Sequence, residues 1–236
     1  MKTNKLSTSA LGIVVLACAC GRAHAQELIT NGSFESGFNG WTRVNQVGGD
    51  GTFHLQSGAT SPVNGFAVPT PPQGLNAAMT DSVGPGTHVL YQDFVVPVAV
   101  PVATLRFSLY INNSASAFST PSTLDWATPV LNQQARVDIM SSAADPFSTD
   151  ALDILQNVFQ TTVGSSLVTG YNDFSIDVTA LLASHAGETL RLRFAEADNV
   201  NFFNFGVDSV GLTVPAPASI CLLCAAGLVA RRRTRS

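Results

Sequence analysis

Ala103-Thr104-Leu105-Arg106-Phe107-Ser108-Leu109-Tyr110-Ile111 places Leu105, Phe107, Leu109 and Ile111 at every second position. A period of two is that of a strand with one face against a core. The same period returns in His88–Val95, Ala135–Met140, Phe174–Val178, Leu190–Phe194 and Phe205–Thr213. Glu27–Thr30 reads as a shorter strand closed by the turn Asn31-Gly32-Ser33. Phe34-Glu35 then resumes before Gly37-Phe38-Asn39-Gly40-Trp41 turns again. Two stretches carry helical spacing instead. Asp150–Gln160 sets Leu152, Leu155, Val158 and Phe159 behind a Ser148/Thr149/Asp150 cap, and Thr179–Ala186 stops at Gly187. No repeat of solenoid or propeller length is visible. The pattern predicts an all-β chain of two antiparallel sheets packed face to face, with one or two short helices between strands.

Both ends of the chain differ from this middle. Lys2 and Lys5 precede an apolar run from Ala10 to Cys20, and Ala23-His24-Ala25 is a small-x-small site, so residues 1–25 read as a secretory signal peptide cut before Gln26. An alternative stands beside it, because Val15-Leu16-Ala17-Cys18 loosely resembles a lipobox that would lipidate Cys18. At the other end, Val214-Pro215-Ala216-Pro217 leads into an uncharged run, Ala218–Ala230, and then Arg231-Arg232-Arg233-Thr234-Arg235. An apolar segment ending in arginines suits one that enters a bilayer with its basic end in the cytoplasm. The run is short beside the roughly 20 residues a spanning helix needs, which suits a signal that is read and then cut.

That tail resembles a PEP-CTERM sorting signal, with Val214, Pro215, Pro217, Leu222, Leu223, Gly227, Leu228 and Arg231–Arg233 matching the pattern and Ala216 standing where a glutamate is usual. The resemblance implies an exported protein of the cell envelope or extracellular matrix. It also implies an exosortase-type membrane protease as partner and contact with the membrane through the C-terminal segment before processing; exopolysaccharide or another glycan is the further partner expected. An ordinary C-terminal membrane anchor is the other reading of the same residues. The chain thus divides into a signal peptide (1–25), a β-sandwich domain (26–213) and a sorting segment (214–236).

Composition narrows the partners of the middle domain. All four cysteines (Cys18, Cys20, Cys221, Cys224) lie in the terminal segments, so the domain has neither disulfide nor thiol chemistry. Sixteen acids against five arginines (Arg43, Arg106, Arg136, Arg191, Arg193) and no lysine leave it at −11. Nucleic acid is a poor partner for such a charge.

Asn31-Gly32-Ser33-Phe34-Glu35 with Gly40-Trp41, together with Gly206-Val207-Asp208-Ser209-Val210 in the last strand, resembles the jelly-roll domains of galactose-binding-like type, which include many carbohydrate-binding modules. The resemblance implies that the first and last strands are neighbours and that Glu35 and Asp208 hold a structural calcium ion. Two carboxylates supply only part of a shell of six to eight oxygens, leaving backbone carbonyls and Asp50 or Asp81 to complete it. The alternative is that Glu35 caps a turn and Asp208 accepts hydrogen bonds at the sheet edge.

For a sugar, aromatic rings are the expected contacts. Trp126, alone in the polar loop 112–134, is the candidate stacking residue, or else a plug for its loop. Trp41 and Tyr110 read as core, and one of Phe202 and Phe203 should be buried by strand alternation. His54, His88 and His185 have no companion at metal-ligand spacing, and no nucleophile or phosphate-binding motif is present. Asp150/Asp153 reads as a helix N-terminus and Glu196/Asp198 as a solvated loop. Sixteen acids leave a glycosidase-type carboxylate pair open, and a purely structural matrix protein is the other alternative, but the expectation is a non-catalytic protein with an adhesive or carbohydrate-associated role.

Overall fold

The computed structural model describes residues 25–215. Cys18, Ala23, Ala216, Pro217 and Arg231–Arg233 lie outside the described residues. The strands are β1 (Gln26–Glu27), β2 (Thr42–Asn45), β3 (Thr52–Ser57), β4 (Asn76–Asp81), β5 (Gly86–Val95), β6 (Thr104–Asn113), β7 (Gln133–Ser141), β8 (Ile154–Gln160) and β9 (Asn172–Asp177). The helix α1 (Thr179–Ser184) precedes β10 (Thr189–Asp198) and β11 (Phe203–Val214). Two antiparallel sheets result, one ordered β3-β4-β11-β6-β9 with β1 also on β11, the other β2-β5-β10-β7-β8. The expected sandwich is what forms.

The period of two decides which side chains meet between the sheets. Leu105, Phe107, Leu109 and Ile111 of β6 face Leu190, Leu192 and Phe194 of β10, all in one buried cluster with Leu90 and Phe94 of β5. Rings bridge the layers. Phe194 makes an edge contact with Phe107 (5.7 Å between centroids) and packs on Trp41 at 6.0 Å, and Trp41 in turn meets Phe34 at 5.3 Å. Such pairs add to the area they bury. Trp41 and Tyr110 are buried, as expected.

First and last strands are neighbours. Gln26 pairs with Val214 and Glu27 with Thr213. The turn after β1 docks on an irregularity in β11 between Asp208 and Gly211, where Ser209 has φ +55°. Val210 N donates to the Gly32 carbonyl at 2.9 Å. A Cβ on Gly32 would fall 1.8 Å from the Val210 carbonyl oxygen, so only glycine fits there. Val214 is buried and belongs to β11, so the last strand runs one residue into the segment assigned to sorting.

Two local expectations are corrected. Phe34-Glu35 is part of the turn region rather than a resumed strand. Asn31, at φ +52°, holds it by accepting from Ser36 N and donating to the carbonyls of Gly37 and Asn39. Asp150–Gln160 is not a helix: a turn leads into β8, and Leu152 is exposed. The β7/β8 register shifts twice, between Val137 and Asp138 and between Ile139 and Met140. A bulge adds one residue and resets alternation, so Leu155, Val158 and Phe159 all reach the core at a spacing that imitates a helix. Thr179–Ser184 is helical as expected, with Gly187 beyond it at φ +83°.

Candidate functional site

The inner row of β10 does not stay apolar. After Leu190, Leu192 and Phe194 the same face continues with Glu196 and Asp198, 1% and 3% exposed. The reading of this pair as a solvated loop is therefore corrected: β10 runs through Asp198, and both acids are buried on the face turned to the opposite sheet. His88 on β5 stands directly opposite Glu196, and Gly86 opposite Asp198. His88 is also buried, and the ligand atoms of His88, Glu196 and Asp198 all lie within 4.8 Å of one another.

The electrostatics follow from burial. Desolvation lowers the His88 imidazole to about pKa 4, against a smaller opposing contribution from Asp50, and a neutral ring results. Desolvation raises Glu196 well above the usual carboxylate range, with the neighbouring Asp198 charge adding to it. Asp198 rises to about 8, again chiefly through burial, although Gly86 N donates to its Oδ1 at 2.8 Å. Among the described residues no arginine is paired with either acid.

Asp198 also opens the cluster to the surface. With Asn199, Val200, Asn201 and Phe202 on one side and Val83, Gly84 and Pro85 on the other, it lines a cleft of about 190 Å³. Phe202 is 40% exposed and Phe66 42%, their rings edge to face at 6.3 Å. Phe203 is buried, so the expected split of the pair holds. The Asn199 amide is fully engaged, donating to the Trp126 and Val130 carbonyls and accepting from Asn132 N. Asn201 likewise donates to the Ser114 carbonyl and accepts from Phe202 N. These side chains shape the rim, and Val83, Val200 and Phe202, with Phe66 packed against the last, provide its exposed apolar surface.

Trp126 is half-buried and turned inward. Its N–H group lies against Gly49, where a Cβ would come within 2.9 Å of Nε1, and its backbone is tied to Gln46 and Asn199. This is the geometry of a loop plug.

Glu35 and Asp208 meet the same short loop. Glu35 Oε1 accepts from Leu75 N and Asn76 N, both at 2.8 Å, while Asp208 accepts from Gln73 N at 2.9 Å and Ser209 N at 2.7 Å. Burial raises Asp208 to about 6, and the Glu35 charge adds to the rise. Both carboxylates are engaged by backbone N–H groups, as the turn-cap alternative has it, and a cation between them would offset their mutual repulsion. Asp50 and Asp81 do not join them. Asp50 caps Val83 N and Gly84 N. Asp81 caps Val63 N and Asn64 N, near the Asn204 end of β11 rather than beside Asp208. Asp150 and Asp153 shape the turn before β8, accepting from Leu152 N and from the Ser148 hydroxyl.

No protein-family model matches the chain, and no curated protein matches it in sequence. In fold it is similar to TmCBM61 in complex with β-1,4-galactotriose, at 10% identity and TM-score 0.47, covering 79% of this chain and 97% of that one. It is similar also to the K3 cleaved adhesin domain of Lys-gingipain from Porphyromonas gingivalis (14%, TM-score 0.48, 80% and 99%). A Stig cyclase from Fischerella sp. TAU is a third (15%, TM-score 0.45, 82% and 100%). Among the described residues no helix is long and apolar enough to cross a membrane.

Proposed function

We propose that the chain is an exported, non-catalytic glycan-associated domain of the cell envelope or matrix, contacting its glycan at the cleft between Pro85 and Phe202. The observation that carries this reading is the exposed Phe66/Phe202 pair at the rim of that cleft. A pyranose offers an apolar face ringed by hydroxyls, and it is matched by a ring set among polar backbone and side-chain groups. The −11 charge favours a neutral or cation-bridged glycan over a polyanionic one. Delivery rests on the two terminal segments, through a secretory signal cut before Gln26 and an exosortase-type protease acting on the tail. Calcium, held by Glu35 and Asp208 with backbone carbonyls, would brace the loop 73–76 against the last strand.

A hydrolase is the less favoured reading. Glu196 and Asp198 share one face of one strand, and Glu196 is buried and does not line the cleft, so the two do not flank a space in which a glycosidic bond could lie. Retention of the purified protein on immobilised polysaccharides, compared with Phe202→Ala, tests the proposal. Loss of retention in the variant is expected; equal retention of both, or none by either, overturns it.

A further inference from the structure

We propose that His88, Glu196 and Asp198 form a binding site for one divalent transition-metal ion, of the zinc or manganese class, inside the sandwich. This goes beyond the glycan reading and does not depend on it.

Two side-chain atoms in the cluster are buried without a hydrogen-bond partner, His88 Nε2 and Glu196 Oε1. Native interiors seldom leave such groups unsatisfied, and one account of the exceptions is an ion. The histidine is set up as a ligand. Asn45 donates through Nδ2 to Thr52 Oγ1 at 3.0 Å and so turns its oxygen to His88 Nδ1, also at 3.0 Å. An amide oxygen only accepts, so with the Asn45 amide in this orientation Nδ1 carries the ring proton, and Nε2 presents its lone pair to the acids beside the Asp50 carbonyl. Fixing the tautomer through the far nitrogen is the usual arrangement behind a metal-bound histidine.

Space has been kept at the same spot. A Cβ on Gly86 would fall 2.5 Å from the Asp50 carbonyl oxygen and 2.8 Å from His88 Nε2, and one on Gly51 would fall 3.2 Å from that nitrogen. Two carboxylates and a divalent ion sum to no net charge, which is the form a dry interior accepts, and among the described residues no arginine performs that neutralisation. One imidazole nitrogen with two carboxylates suits zinc, manganese or their neighbours. It does not suit calcium or magnesium, which favour oxygen alone. The three ligands come from adjacent strands in register, so a rigid sheet sets the spacing. Asp198 lies at the cleft, which supplies the entry path.

Full-length protein stripped with a chelator and equilibrated against micromolar free zinc is expected to retain one zinc more than His88→Asn or Glu196→Gln. Zinc should raise the melting temperature of the parent and of Glu35→Gln but not of those two variants. Glutamine keeps the size of the glutamate and one of its oxygens without a charge, so Glu196→Gln is expected to fold, and circular dichroism checks this. Asp198→Asn, which keeps the oxygen that accepts from Gly86, is the second variant and should show the same loss. Phe202→Ala should bind zinc normally, which separates failure of this site from failure of the glycan reading. Equal zinc content in parent and variants, or no uptake by the parent, overturns the proposal. So does a zinc-induced rise in melting temperature that survives in Glu196→Gln.

Discussion

Arg193 and Asp138 stand opposite each other on β10 and β7, both fully buried, joined through Arg193 Nε at 3.1 Å and Nη2 at 2.5 Å. Arg136 closes on the same carboxylate through two further bonds of 2.8 and 2.7 Å. The Arg193 Nη1 group reaches past the sheet to the carbonyls of Pro146 and Ser148, both at 2.7 Å. One guanidinium thus fastens the loop before β8 to the outer face of the second sheet. Arg191 does the same nearby, donating to the Ser142 and Ala144 carbonyls, pairing with Asp93 and lying 3.9 Å over the Tyr91 ring.

Asp138→Ala should therefore cost about 3–5 kcal/mol, because it leaves a buried guanidinium uncompensated. Chemical denaturation measures this. Replacing Arg193 and Asp138 together by Met and Leu should restore only part of the loss, since the Pro146 and Ser148 carbonyls would still lack their donor.

The same carboxylate sets an acid limit. Burial pushes the Asp138 pKa up, but the hydrogen bonds and charges of Arg136 and Arg193 outweigh it and hold the carboxyl below its usual value. The native state then binds fewer protons than the unfolded chain near and below the usual Asp value. Its contribution is fully present above about pH 5 and is lost as pH falls through the folded value. Urea midpoints from about pH 6 down to about pH 2.5 should fall more steeply for the parent than for Asp138→Asn.

Gly32→Ala should destabilise the domain by more than the roughly 1 kcal/mol typical of a point substitution, because the added methyl collides with the Val210 backbone rather than with a movable side chain. A Tm within a degree of the parent would show that the turn can lift off β11.

Chelation with a calcium-selective reagent should lower the Tm of the parent and leave that of Glu35→Gln unchanged. The same Tm with and without chelator in the parent would remove calcium from the Glu35/Asp208 pair.

Trp126→Ala should lower stability through the loss of loop packing against Gly48 and Gly49 while leaving polysaccharide retention intact. Retention lost in Trp126→Ala but kept in Phe202→Ala would move the glycan contact to the tryptophan loop.

Alternation made the strands 88–95, 103–111, 135–140, 174–178, 190–194 and 205–213 legible, because a side chain's face on a strand is a local property. It misled at Asp150–Gln160, where the two register shifts come from the pairing with β7 and leave no mark in the residues themselves. The cleft was half legible: Phe202/Phe203 could be split into an outward and an inward ring, yet nothing local placed Phe66 beside Phe202. Glu196 and Asp198 carried a usable signal, since they continue the even-numbered row of Leu190, Leu192 and Phe194. Their charge suggested solvent instead.

By itself the sequence determined the class of fold, the face on which each strand residue sits, the absence of cysteine and lysine from the domain, and the pattern of its two terminal segments. Only the tertiary structure decided that His88 meets residues more than a hundred positions away, that the opposite sheet covers them, and that His88 Nε2 and Glu196 Oε1 are left without partners. The reason is that alternation is written in neighbouring residues, whereas burial depends on what the rest of the chain lays over a face. An acid on that face becomes a solvated group or a ligand according to that cover alone.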